Sequence, residues 1–134
     1  MTQNATEDSR IIIALDDMPE TRATSLMMKL GSTVGGGKAN DLLDECGAPV
    51  LNRLMPEHAD LDDSDHSSDG EGRGFVHLRM GDPKIKDIPT TVANRVKRYH
   101  GRADLLTIHG SNSWKALKEA VKARDSVELS LIHI

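Results

Sequence analysis

This sequence predicts an α/β fold of parallel strands, and three features carry that expectation. Five short apolar runs recur along the chain, stretches with helical spacing of apolar residues separate them, and charged or polar groups such as Asp16, Asp82, Lys84 and His109 stand where the runs end. In sheets of this kind ligands bind at the carboxyl ends of the strands, so the third feature also marks a candidate site. An open doubly wound sheet and part of a barrel both satisfy the periodicity. The 134 residues suffice for about one domain with a modest core.

Residues 1–9 are polar, have nothing to bury and are expected to be disordered. "RIIIALD", Arg10 to Asp16, is an unbroken apolar run closed by a carboxylate, the pattern of a strand buried on both faces. Asp17 to Pro19 reads as a helix start, and Ala23, Leu26, Met27 and Leu30 recur at helical spacing until Gly31 stops the helix. "STV", Ser32 to Val34, reads as the stub of a second strand. Gly35, Gly36 and Gly37 are then expected to turn the chain into a short helix from Ala39 to Cys46.

The composition shifts between Pro56 and Gly74, where the chain is acidic and rich in Asp, Ser and Gly. Residues 56–74 read as a flexible surface loop inserted into the domain. His58, Asp60, Asp62, Asp63, Asp65 and His66 are of metal-ligating type, but the run lacks the closing glutamate of a calcium loop, and no metal site is expected. Alternation then resumes. "GFVHLRMGDPK" is strand-like, Pro89 to Tyr99 helix-like, "ADLLTIHG" apolar, Ser113 to Ala123 helical, and "VELSLIHI" begins a fifth strand.

With 17 Lys and Arg against 21 Asp and Glu, the chain has a net charge of -4 and no broad basic surface for nucleic acid or anionic lipid. Any anionic ligand must therefore be caught locally. Aromatic residues are only 2% of the chain, which argues against a base-stacking surface and leaves the core to aliphatic side chains. Cys46 is a single cysteine, no secretory leader is recognisable, and no apolar run reaches the roughly 18 residues of a membrane span. A cytoplasmic setting is expected, with Cys46 and Trp114 as packing residues on helices.

"GDPKIKDIPTTV", Gly81 to Val92, sets two lysines among two aspartates. Asp82 and Lys84, two apart on a strand, point to one side, while Lys86 and Asp87 sit on the turn into the next helix. In a partly dry pocket such a pair holds a charged lysine beside a carboxylate, setting negative charge against an anionic substrate with a proton donor in reach. A surface ion pair beside a turn is the plainer reading. Asp16 likewise suits a helix N-cap, and His109 a hydrogen-bonded strand end.

"DPKIKDIPTT" resembles the DxKxxDIPxT signature of the orotidine 5'-phosphate decarboxylase family, through Asp82, Lys84, Asp87, Ile88, Pro89 and Thr91. "IIIALD" is similar to that family's first strand, and "ADLLTIHGS" to its fourth. The resemblance covers most of residues 10 to 124. It implies a TIM-type (β/α)8 barrel that dimerises with its active sites between the subunits. By that resemblance Asp82 presses its charge against the departing carboxylate of orotidine 5'-phosphate, and Lys84 protonates the carbanion left at C6. Asp87, Ile88 and Thr91 reach across to the partner subunit's site, and Asp16 holds the ribose hydroxyls. The resemblance implies no metal and no organic cofactor, and uridine 5'-phosphate and CO2 as products in pyrimidine biosynthesis.

The sequence departs from the family at two positions. A gapless alignment puts Gly35 where the family has a lysine at the end of the second strand, with Lys38 three residues later as the substitute substrate-binding lysine. Pro83 removes a backbone donor from what should be an interior strand, so that strand is expected to be distorted. A nucleotide P-loop at the same glycines would need glycine where Ser32 stands and Ser or Thr where Ala39 stands. A whole barrel takes about 200 residues or more, so the expectation is an incomplete (β/α)8 barrel, its first four to five units spanning residues 10–134. "LSLIHI", residues 129–134, resembles translated adapter sequence, which implies a gene fragment with an artificial end, and a chain truncated in this way is expected to be inactive. A related magnesium-dependent sugar-phosphate decarboxylase or synthase, and a non-catalytic half-barrel that associates with a partner, are the alternatives.

Overall fold

The structure, a computed structural model, describes residues 9–56, 77–127 and 130–133. Five strands lie side by side in chain order, all parallel: β1 (Ile12–Ala14), β2 (Gly36–Ala39), β3 (Leu78–Ile85), β4 (Leu105–Ile108) and β5 (Ser130–His133). Helix α1 (Glu20–Leu30) follows β1, the short α2 (Asp41–Cys46) and α3 (Val50–Leu54) follow β2, α4 (Pro89–Lys97) follows β3, and α5 (Trp114–Asp125) follows β4. A doubly wound sheet reverses its strand order at the switch point, whereas a barrel keeps chain order throughout. The chain is therefore an incomplete (β/α)8 barrel, with five parallel strands among the described residues.

Alternation along the strands sorts side chains onto two faces. Ile13, Leu15, Gly37, Ala39, Arg79 and Gly81 share the face that carries the helices, and all but the half-covered Ile13 are buried. The opposite face holds Ile12, Ala14, Asp16, Lys38, Met80 and Asp82, the side that lines the interior in a closed barrel. The core fills the helix side: Ala23 and Met27 from α1, Leu42, Val50, Leu51 and Leu54 from the next two helices, Val92 and Val96 from α4, and Ala116, Ala120 and Ala123 from α5. The helix layer is tied by Arg53, whose guanidinium grips the Glu20 carboxylate at 2.5 and 3.0 Å and links α3 to α1. Below the strands, buried Arg79 donates to both carboxylate oxygens of Asp104, at 3.2 and 3.1 Å, fastening the start of β3 to that of β4.

Four local expectations are corrected. "RIIIALD" is not buried on both faces, because the face of β1 opposite the helices is uncovered among the described residues; Ile12, on that face, is 38% exposed, and Ile11, just before the strand, 62%. Ser32 and Thr33 belong to a single 3-10 turn rather than a strand stub. The glycine run is not a turn but part of β2, and Ala39 ends that strand instead of opening a helix. A Cβ at Gly36 would collide with the Leu78 carbonyl, and one at Gly37 would sit 3.0 Å from Met55 Sδ and 3.1 Å from Leu15 Cδ1, so close strand and helix approach explains glycine there. Trp114 is not a packing residue; it is 71% exposed, with the Lys118 ammonium 5.3 Å from its ring centre. Helix α3 has no counterpart in the sequence reading. The polar N-terminus up to residue 8, and residues 57–74 of the acidic loop with its His and Asp cluster, lie outside the described residues.

Pro83 distorts its strand as its missing N–H requires. Gly81 pairs with Leu106 and Ile85 with Ile108, so Asp82, Pro83 and Lys84 together face Thr107 alone across a bulge. Lys84 lies there at φ +45°, a left-handed conformation uncommon outside glycine.

Candidate active site

The bulge, together with the ends of β1 and β2, brings four charged side chains onto the open face of the sheet. Asp82 is 4% exposed and sits at the centre. Its Oδ2 accepts from Lys84 Nζ at 2.8 Å and from Lys38 Nζ at 3.0 Å, and its Oδ1 accepts from the Thr107 hydroxyl at 2.6 Å. Lys38 Nζ also lies 3.4 Å from Asp16 Oδ2. The chain runs Asp16, Lys38, Asp82, Lys84, alternating in sign, and the topology that places these residues on neighbouring parallel strands is what lets each carboxylate meet an ammonium.

Burial works against ionised Asp82, but the hydrogen bonds from Lys84, Thr107 and Lys38 outweigh it, and the carboxyl titrates below its ordinary value. Lys38 is shifted upward, chiefly by its hydrogen bond to Asp82, with the Asp82 and Asp16 charges adding to that against desolvation. Both groups are thus held charged at neutral pH. Asp16 Oδ1 is buried and has no hydrogen-bond partner among the described residues, an acceptor that a ligand hydroxyl would satisfy. Asp16 is not a helix cap: Pro19 holds the N-cap position of α1, and no side chain caps it.

Asp87, Ile88 and Thr91 stand apart from this cluster, on the turn into α4 and its first turn. The Asp87 N–H donates to Asn112 Oδ1 at 3.1 Å, and the Asp87 carboxylate accepts the Ile88 N–H at 2.8 Å; Ile88 itself is 66% exposed. His109 ends β4, where its Nδ1 accepts the Ser111 N–H at 3.1 Å and lies 2.8 Å from the Ser111 hydroxyl. That is the plain strand-end role.

Two polar residues of this site are absent from the sequence reading. Thr107 is the residue that touches Asp82 from β4, and its only signal is a hydroxyl placed inside an otherwise apolar strand. Buried Asn112 donates to the carbonyls of Ile85 and His109, each at 2.7 Å, and joins the loops after β3 and β4. Lys38 lies within β2, one residue before its end, and its ammonium reaches Asp82; Gly35 precedes the strand instead of ending it, because the strand runs through the glycines to Ala39.

No protein-family model matches the sequence, and no curated protein matches it. Solved structures do match the fold. Orotidine 5'-monophosphate decarboxylase from Methanocaldococcus jannaschii, complexed with the inhibitor BMP, superposes with a TM-score of 0.73 at 17% identity, over 95% of this chain and 52% of that one. The enzyme of the same name from Sulfolobus solfataricus gives 0.63 at 19% identity, over 94% and 51%. An uncharacterised conserved protein from Geobacillus kaustophilus gives 0.69 at 20% identity, over 91% and 52%. The chain spans about half the length of these structures, and it has the fold of that half of an orotidine 5'-monophosphate decarboxylase barrel.

Proposed function

We propose that this chain carries the charged half of a decarboxylase site acting on orotidine 5'-phosphate. The observation that supports this best is buried Asp82 gripped by two lysines at 2.8 and 3.0 Å. Its carboxylate cannot leave and is held ionised, so a substrate carboxylate brought beside it is repelled in the ground state. That repulsion is relieved as CO2 departs, and an environment of fixed charges stabilises the transition state without reorganising. Electrons of the broken carbon–carbon bond remain on C6 of the pyrimidine. Lys84, 46% exposed and bonded to Asp82, is the ammonium free to turn toward that carbon and deliver its proton. Lys38 bridges Asp16 and Asp82 and keeps the two carboxylates in place, while Asp16 Oδ1 accepts a ribose hydroxyl.

Asp87, Ile88 and Thr91, exposed or half-exposed at the rim, fit contacts with the site of a second subunit, so the working enzyme is a homodimer in this reading. The chemistry uses neither metal nor organic cofactor. The test joins this chain to the second half-barrel of an orotidine 5'-monophosphate decarboxylase and follows the loss of orotidine 5'-phosphate absorbance with and without a metal chelator. Turnover in the joined protein with the chelator present supports the proposal. Folded, joined protein that leaves the substrate untouched both with and without the chelator contradicts it, and turnover seen only without the chelator favours the magnesium-dependent reaction class.

A further inference from the structure

We propose that Thr107 is a positioning residue that locks Asp82 and Lys84 into one reactive arrangement, an inference that deepens the decarboxylase reading above and rests on it. Across the bulge Thr107 is the sole β4 residue facing Asp82, Pro83 and Lys84. Three residues opposite one cannot all keep ladder hydrogen bonds, and Pro83 has no N–H to give. The Thr107 side chain takes the ladder's place. Its hydroxyl accepts the Lys84 N–H at 3.1 Å and donates its one proton to Asp82 Oδ1 at 2.6 Å, so donor and acceptor capacity are both used.

The residue is 1% exposed, so water does not compete for either bond. One bond holds the backbone of Lys84 at its left-handed φ of +45°, which sets where the ammonium starts its reach. The other fixes the Asp82 carboxylate so that Oδ2 faces both lysines. Valine has nearly the same shape but no hydroxyl, and it would leave Asp82 Oδ1 and the Lys84 N–H unpaired inside the protein. Serine keeps the hydroxyl and loses only a methyl.

The experiment compares wild type with Thr107→Val, Thr107→Ala and Thr107→Ser in two readouts. The first is the titration of the Asp82 carboxyl carbon in this chain, labelled in aspartate and followed by NMR, with Lys38 and Lys84 intact and Asp16 reporting as the neighbouring carboxylate. The expected result is an Asp82 midpoint that rises in the valine and alanine variants and returns with serine. The second is turnover in the joined barrel, where loss of the hydroxyl is expected to lower kcat by about ten- to a hundredfold, with KM little changed and serine restoring most of it. An unmoved Asp82 midpoint in valine and alanine alike, or equal losses in serine and valine, overturns the proposal. Alanine adds no bulk and decides the matter if valine does not fold. A silent wild-type joined barrel would instead count against the decarboxylase reading, and the titration would still judge Thr107.

Discussion

Asp82 and Lys38 carry opposite pH signatures. The folded-state value of Asp82 lies below its ordinary 3.8, so its contribution to stability is present above that value and is lost as pH falls through the lower, folded one. Lys38 is raised above its ordinary 10.5, so its contribution is complete below that value and is lost as pH rises through the higher one. The pair is therefore intact across the neutral range. In denaturant titrations the stability difference between wild type and Asp82→Asn is expected to hold steady from about pH 5 to pH 9 and to shrink below about pH 4. A difference indifferent to acid would contradict the ion-pair account. Lys84→Ala in the joined barrel is expected to lower kcat by about a hundred- to ten-thousandfold, the range of a lost general acid, with the fold retained by circular dichroism. Asp82 and Lys84 are legible as a pair from their two-residue spacing, although it is the bulge at Pro83, and not regular strand alternation, that brings the ammonium onto the carboxylate. Thr107 is not legible, since a lone threonine in an apolar strand looks the same whether it faces a helix or a carboxylate.

A clear apolar period marks an element in the sequence, and an element without one leaves no such mark. Helix α1 follows from Ala23 and Met27 at four-residue spacing, both of which are buried. Ser113 caps α5 by accepting the Ala116 N–H at 3.2 Å, close to the boundary the sequence predicts. Strand β2 leaves no signal in the sequence because glycines carry no side-chain pattern; what demands them is the crowding at Leu78, Met55 and Leu15, which only the assembled sheet reveals. Gly36→Ala is accordingly expected to destabilise the chain by about 1–3 kcal/mol, read from the urea midpoint, and a neutral result would mean that β2 does not pair with β3 in this register. Asn112→Ala breaks the two bonds to the Ile85 and His109 carbonyls and the one from Asp87 N–H. It is expected to cost about 1–3 kcal/mol and to increase amide exchange at Asp87 more than in α1.

At the scale of the molecule, strand order is what the sequence conveyed best, since chain-order alternation of strands and helices leads to a barrel-type sheet once the signature in "DPKIKDIPTT" is recognised. Burial was conveyed worst, because an apolar run such as "RIIIALD" records what a closed barrel would bury, while here the face of β1 opposite the helices is uncovered among the described residues, with Ile11 and Ile12 in solvent. Sheet edges and an apolar face left uncovered among the described residues favour pairing with another chain. In sedimentation this chain is expected to associate, and a single monomeric species across the concentration range would contradict that. Among the described residues no helix is long and apolar enough to cross a membrane.

The central claim, that the Lys38–Asp82–Lys84 cluster is a decarboxylation site, is tested most directly by the rate of orotidine 5'-phosphate loss in the joined barrel, measured side by side for wild type and Lys84→Ala. The account predicts turnover in wild type and a rate lower by about a hundred- to ten-thousandfold in the variant. Equal rates in the two, or no turnover from folded wild type, would contradict it.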